Sequence, residues 1–220
     1  MPCRPRDAAR RGGGRGPVRL LLVRHGPTAW NLESRYTSRT DLPLHASAAG
    51  ALAPVRERLR GAGVARVLVS PLRRARETVD LLVAGTDAAA LPVEVRDDLR
   101  EVDFGDFEGR TKDDLRTGDL AGPFAAWFTP EHDLVAAPGG ESWVSAQERA
   151  RRVLDDVLAD GRSALAVSHG YLLKVLVVTA VPEVPLTMVR GGHLPNGGVT
   201  ELVHDGEAWH LRSAGWTAAA

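Results

Sequence analysis

Three short apolar runs punctuate the chain. Val18 to Val23 stops at Arg24-His25-Gly26, Arg66 to Ser70 stops at Pro71, and Ala164 to Ser168 stops at His169-Gly170. Continuous apolar runs of this length, bounded by turn residues, predict strands buried on both faces. After Pro71, Leu72, Ala75, Val79 and Leu82 recur at helical spacing, and after His169-Gly170 the apolar stretch Tyr171 to Ala180 follows, so each run reads as a strand feeding a helix. Trp143 to Leu158 carries Val144, Ala150, Val153, Val157 and Leu158 on one face and charged residues on the other, the pattern of an amphipathic helix. A further helix is predicted over Ala51 to Leu59, with Pro54 either kinking it or marking its first turn. Near the C-terminus Val199 to Val203 alternates, Asp205-Gly206 turns, and Ala208 to Leu211 returns as the second arm of a hairpin. Strands alternating with helices predict an α/β domain of three layers, α/β/α, whose mainly parallel central sheet is covered on both faces.

In open sheets of this kind the binding crevice lies beyond the C-terminal ends of the strands. Arg24-His25, Ser70 with Arg73-Arg74, and His169 all follow strand ends, so residues distant in sequence are expected to meet on one rim.

Composition narrows the chemistry. A length of 220 residues and 44% hydrophobic content suit one domain, assigned to 18–220, with an insertion at about 104–142 covering the rim. Residues 1–17, with five arginines among Gly, Pro and Ala and no signal-like or spanning apolar run, read as a disordered tail. The formal net charge is zero, which argues against nucleic acid or an anionic membrane as partner and makes any attraction for anions local. The single cysteine, Cys3, excludes an intramolecular disulfide and suits a reducing cytoplasm. The seven histidines show no His-Glu-x-x-His pattern and the chain has no G-x-S-x-G turn, so neither a zinc site nor a serine nucleophile is supported. Only Lys112 and Lys174 are lysines among 28 basic residues, which reads as compositional bias.

Four segments in order resemble the histidine phosphatase superfamily, which includes the phosphoglycerate mutases. Leu22-Val23-Arg24-His25-Gly26-Pro27-Thr28-Ala29-Trp30-Asn31 is similar to its first signature, and Ser70-Pro71-Leu72-Arg73-Arg74-Ala75-Arg76-Glu77-Thr78 to its second. Leu99-Arg100-Glu101 with Phe104 to Gly109 resembles the third, and Ser168-His169-Gly170 the fourth; Pro138 to Ser142 matches a turn in which Ser142 caps a helix and Glu141 braces the pocket.

The resemblance implies a phosphoglycerate mutase-like fold and a phosphomonoester hydrolase working through a covalent phosphohistidine on His25. It assigns phosphate clamping to Arg24 and Arg74, whose guanidinium groups match two phosphate oxygens, and transition-state stabilisation to His169. Glu101 is implied as general acid and then base, with Asp103, Asp106 and Glu108 as rivals, while Arg73 reads as a surface residue. Asn31, Thr37 and Gly170 are implied as further phosphate contacts and Asn196 as a matching position. Ordinary loop hydrogen bonding is the competing explanation for Asn31, Thr37 and Asn196, and bracing of its own loop the one for Thr28. The implied partner is a small-molecule phosphomonoester, with no metal or organic cofactor; a homodimer is compatible.

Departures from the motif bear on rate and substrate. Pro27 and His45 replace common residues, and Ser38 stands where glycine is frequent, so its side chain is expected to narrow the pocket or restrict the backbone. Glu101-Val102-Asp103-Phe104-Gly105 and Tyr171 lack the residues by which mutases hold phosphoglycerate, which favours hydrolysis over mutase-type transfer. A non-catalytic phospho-ligand-binding or interaction module is the remaining alternative. Phe124, Trp127, Phe128 and Trp143 either line a pocket for a large leaving group or pack the insertion onto the sheet.

Overall fold

A computed structural model describes residues 16–127, 137–188 and 192–215. In chain order the elements are strand β1 (Val18–Arg24), helices α1 (Ala29–Leu32) and α2 (Ala48–Leu59), strand β2 (Arg66–Val69), helix α3 (Arg73–Val83) and strand β3 (Val93–Val95). Helices α4 (Lys112–Thr117), α5 (Ala121–Trp127) and α6 (Trp143–Asp160), strand β4 (Ala164–Ser168), helix α7 (Gly170–Ala180) and strands β5 (Val199–His204) and β6 (Trp209–Ser213) follow.

The six strands form one sheet in the order β3-β2-β4-β1-β5-β6. The four from β3 to β1 are parallel, and β5 and β6 are the antiparallel hairpin read from the sequence. Because the inner strands are apolar over most of their length, successive side chains feed two cores. Leu20, Leu22, Leu68, Ala164 and Ala166 join α6 and α7 on one face, and Leu21, Val23, Val67, Val69, Leu165 and Val167 join α2 and α3 on the other. That is the predicted three-layer α/β/α arrangement.

Local details depart from the pattern reading. Pro54 lies in the interior of α2 rather than in its first turn, on the exposed side. In α6 the buried stripe is Ala146, Ala150, Val153, Leu154 and Val157, and Val144 is exposed, because at 3.6 residues per turn it falls nearly opposite that stripe. Strand β3, whose Val93 and Val95 are exposed, was not legible because an edge strand of three residues lacks a buried run. The tail reading for 1–15, Cys3 included, and the aromatic role suggested for Phe128 lie outside the described residues.

Candidate active site

Strand pairing assembles the rim. Arg24 and Ser168 are register partners at the ends of β1 and β4, and His25 N–H donates to Ser168 O at 2.9 Å, which sets His25 beside His169. Ser70, just past the end of β2, donates its N–H to Val167 O at 3.1 Å and joins the same row. The His25 and His169 ring centroids are 5.1 Å apart.

His25 is buried, with Nδ1 2.6 Å from Gly26 O. A carbonyl only accepts, so Nδ1 carries the proton and Nε2 keeps its lone pair. Burial, then Arg74 and Arg24, hold the imidazole pKa well below 6.5, so the ring is neutral at neutral pH. Asn196 locks this loop by donating to the His25 and Gly26 carbonyls and to Asn31 Oδ1, and Gly26 N–H donates to Thr78 Oγ1.

His169 is fully buried and also held neutral by burial and Arg74. Its Nε2 lies 2.8 Å from Ser70 Oγ, and its Nδ1 accepts from Arg74 Nε at 3.2 Å. Arg74, fully buried on α3, also donates to Thr40 O at 2.9 Å and Ser38 O at 2.8 Å. Burial lowers its pKa to about 10, which leaves it charged at neutral pH. Glu108 in turn holds the 38–40 loop, accepting from Ser38 N–H, Ser38 Oγ–H and Thr40 N–H. Glu108, a rival for the acid role, thus braces Arg74; Asp103 pairs with Arg39, and Asp106 is exposed.

Ser38 does not narrow the His25 cavity. Its hydroxyl points to Glu108 and accepts from Phe104 N–H, and its backbone is outside the left-handed region, so a side chain is accommodated there. Arg73 is exposed and pairs with Glu77, as expected of a surface residue.

Arg24 Nη1 donates to Leu194 O, while its Nε is buried without a hydrogen-bond partner among the described residues. Arg24 also lines the open cavity, where a guanidinium can meet an anion. A Cβ on Gly170 would come within 3.2 Å of that Nε, so the glycine makes room for Arg24 at the start of α7. Glu101, nearly buried, accepts from Val102 N–H and Leu172 N–H on Oε1 and from Tyr171 N–H on Oε2. The N-terminus of α7 therefore holds the carboxyl at the cavity wall, with Oε2 the less committed oxygen.

The cavity, about 320 Å³, is lined by Arg24, His25, Asn31, Thr37, Glu101, Gly170 and Asn196 from the predicted set; Arg74 and His169 lie beneath it. Asn31 forms a capping box with Thr28, and Thr37 Oγ1 donates to Arg35 O, so both also serve their own loops. Of the aromatic residues singled out, Trp127 lines the cavity; Phe124 is buried in the aromatic cluster and Trp143 packs on the core. The sequence reading missed Tyr36, Phe104, Tyr171, Arg35, His193 and both lysines, all on the wall. One signal was present: Lys174 is a lone cation in the apolar run from Leu172 to Val178, one turn beyond Gly170.

Residues 20–217 match the model of the histidine phosphatase superfamily, branch 1. The chain belongs to this superfamily. Similar curated proteins include the adenosylcobalamin/alpha-ribazole phosphatase of Salmonella typhimurium, 35% identical across 73% of this chain and 78% of that protein. A probable phosphoglycerate mutase of Erwinia tasmaniensis is 30% identical over 90% of each chain. A bifunctional protein of Mycobacterium tuberculosis is 37% identical over 179 residues, where the chain spans 46% of its length, about half. Among solved structures, mycobacterial hydrolase 1 superposes with a TM-score of 0.79 at 28% identity, covering 92% of this chain and all of that one. Histidine phosphatase relatives thus include both hydrolases and mutases. Among the described residues no helix is long and apolar enough to cross a membrane.

Proposed function

We propose that the chain is a phosphomonoesterase in which His25 Nε2 takes the phosphoryl group covalently. The observation that carries this reading is the pairing of a neutral His25, its Nε2 lone pair free, with the Arg24 guanidinium on the same cavity. Nε2 attacks phosphorus as the ester oxygen leaves; Glu101 gives that oxygen a proton, then takes one from the water that cleaves the P–N bond. Arg24 neutralises the equatorial oxygens from one side. A phosphoryl oxygen entering between Arg74 Nε and His169 Nδ1 would take both donors, because the Ser70 hydroxyl can accept from or donate to His169 Nε2 and so permits the Nδ1–H tautomer. Full burial of both histidines and Arg74 argues against a site for loose phosphate binding alone, and the similarity to a curated phosphatase supports hydrolysis.

The test is phosphate release from p-nitrophenyl phosphate with His25→Ala as control. Turnover by wild type and none by the variant is expected; no turnover from pH 4 to 9 with phosphate binding retained would mean a binding module. Similarity to a probable phosphoglycerate mutase keeps phosphoryl transfer to a second hydroxyl as the other reading, checked by interconversion of 2- and 3-phosphoglycerate. A cytoplasmic location, a homodimer and a single domain over 18–220 remain part of the proposal, as does the absence of any metal or organic cofactor from the chemistry.

A further inference from the structure

Thr78 is fully buried on α3, and its hydroxyl serves two elements at once. It donates to Arg74 O, one turn back, at 2.6 Å and accepts from Gly26 N–H at 2.9 Å. A threonine bonded to its own preceding turn is common in helices and by itself says nothing of function. The second bond differs, because it runs across 52 positions to the residue next to His25. The helix turn that carries Arg74 is thereby joined to the loop that carries His25.

The imidazole depends on that join. His25 Nδ1–H donates to Gly26 O at 2.6 Å, so the direction of Nε2 follows from where that carbonyl sits. Gly26 is packed too closely for a side chain: a Cβ there would lie 3.0 Å from Leu52 Cδ1 and 3.3 Å from Ala48 Cβ and Leu44 Cδ2. Glycine meets that packing, but it leaves the backbone rotations on either side of it weakly restrained. Pro27, which follows, has no N–H, so Gly26 holds the one amide donor between His25 and Thr28. The His25–Gly26 peptide is held at both ends, with its N–H on Thr78 and its carbonyl accepting from Asn196 Nδ2 at 3.0 Å. Asn196 lines the cavity, whereas Thr78 acts from behind it, through Gly26.

We propose that Thr78 is a positioning residue for His25: its hydroxyl pins the His25–Gly26 peptide, which keeps Gly26 O against Nδ1–H and Nε2 pointed at the phosphoryl group. Because the same hydroxyl is anchored on Arg74 O, it also fixes the nucleophile relative to the helix that bears the buried guanidinium. Without the hydroxyl a buried N–H is left unpaired, and the loop shifts to satisfy it.

The effect on turnover rests on the phosphomonoesterase reading, whereas the state of the ring is read without turnover. Thr78→Val keeps the branched shape and removes the hydroxyl; Thr78→Ser keeps the hydroxyl and removes the methyl group. Long-range proton–nitrogen correlation spectra, read through the carbon-bound ring protons, report which nitrogen of His25 carries the proton, and His25→Asn identifies the signals. Wild type and Thr78→Ser should show Nδ1 protonated, and Thr78→Val should show shifts averaged between two tautomers. With p-nitrophenyl phosphate, kcat of Thr78→Val should fall about tenfold while KM changes by less than about threefold, and Thr78→Ser should recover kcat to within about threefold of wild type. If Thr78→Val does not fold, Thr78→Ala set against Thr78→Ser gives the same comparison. Wild-type ring shifts or a wild-type kcat in Thr78→Val overturns the proposal, and so does a Thr78→Ser protein as damaged as Thr78→Val, which would make packing of the methyl group the cause. Failure of wild type to hydrolyse p-nitrophenyl phosphate, with averaged shifts in Thr78→Val alone, would instead overturn the hydrolase reading and leave the hold of Thr78 on His25 standing.

Discussion

His25 and His169 are neighbours because the residues before them, Arg24 and Ser168, are register partners in the parallel pair β1 and β4. Two residues 144 positions apart thereby reach a centroid separation of 5.1 Å without any direct hydrogen bond between the rings. The relation is set by backbone pairing, and it would survive replacement of either side chain.

For that reason His25→Asn is expected to fold as wild type and to lose at least about a thousandfold in kcat, since the step that splits the displacement is gone. Melting temperature and circular dichroism check the first half, and steady-state hydrolysis of p-nitrophenyl phosphate the second. Acid-labile phosphate should be trapped on wild type by quenching during turnover and be missing from the variant.

Arg24→Lys keeps a positive charge but removes the Nε–H donor and the planar fork. A fall of about ten- to a hundredfold in kcat/KM is expected from loss of one charge-assisted bond. A modest fall in melting temperature should accompany it, because the Nη1–H bond to Leu194 O is lost as well. A lysine variant with wild-type kcat/KM would show that Arg24 does not meet the phosphoryl group.

Glu108 acts at a distance, through the loop whose carbonyls hold Arg74. Glu108→Ala should lower kcat/KM by about tenfold through misplacement of that guanidinium. Glu108→Gln should restore most of it, since an amide oxygen still accepts from the Ser38 and Thr40 N–H groups while its NH2 donates to Ser38 Oγ. If glutamine were as damaging as alanine, the carboxylate charge rather than the loop geometry would be the cause.

Acid should weaken the fold earlier than its carboxylates predict. His25 and His169 have folded pKa values well below 6.5, so between those values and 6.5 the unfolded chain binds protons that the native one does not. Stability is therefore complete above pH 6.5 and falls as pH drops from there, by up to about 1.4 kcal/mol per pH unit for each histidine. Glu77, Glu108 and Glu141, all lowered from 4.5, add their losses only at lower pH. Urea midpoints at pH 7, 6 and 5 should decline for wild type and decline less for His25→Asn; parallel profiles would refute the assignment.

Much of the architecture was legible because its inner strands are mostly apolar and stop near Gly or Pro, the pattern of a sheet covered on both faces. The strand-end residues His25, Ser70 and His169 were placed on one rim for the same reason. Less visible were contacts that depend on which way a side chain leaves its backbone. Ser38 turns to Glu108 instead of the cavity, where its hydroxyl also accepts from Phe104 N–H.

By itself, then, the sequence determined the layers and the convergence of strand ends, since local periodicity and turn chemistry act over a few residues, while its motif resemblance pointed to the candidate residues. Only the tertiary structure decided that Arg24 lines the cavity, that Arg74 and His169 lie beneath it tied to each other, and that Thr78 reaches across to Gly26 N–H. Those facts arise from the competition of each polar group for partners across the fold, and such partners, far apart along the chain, exist only once the sheet has brought them together.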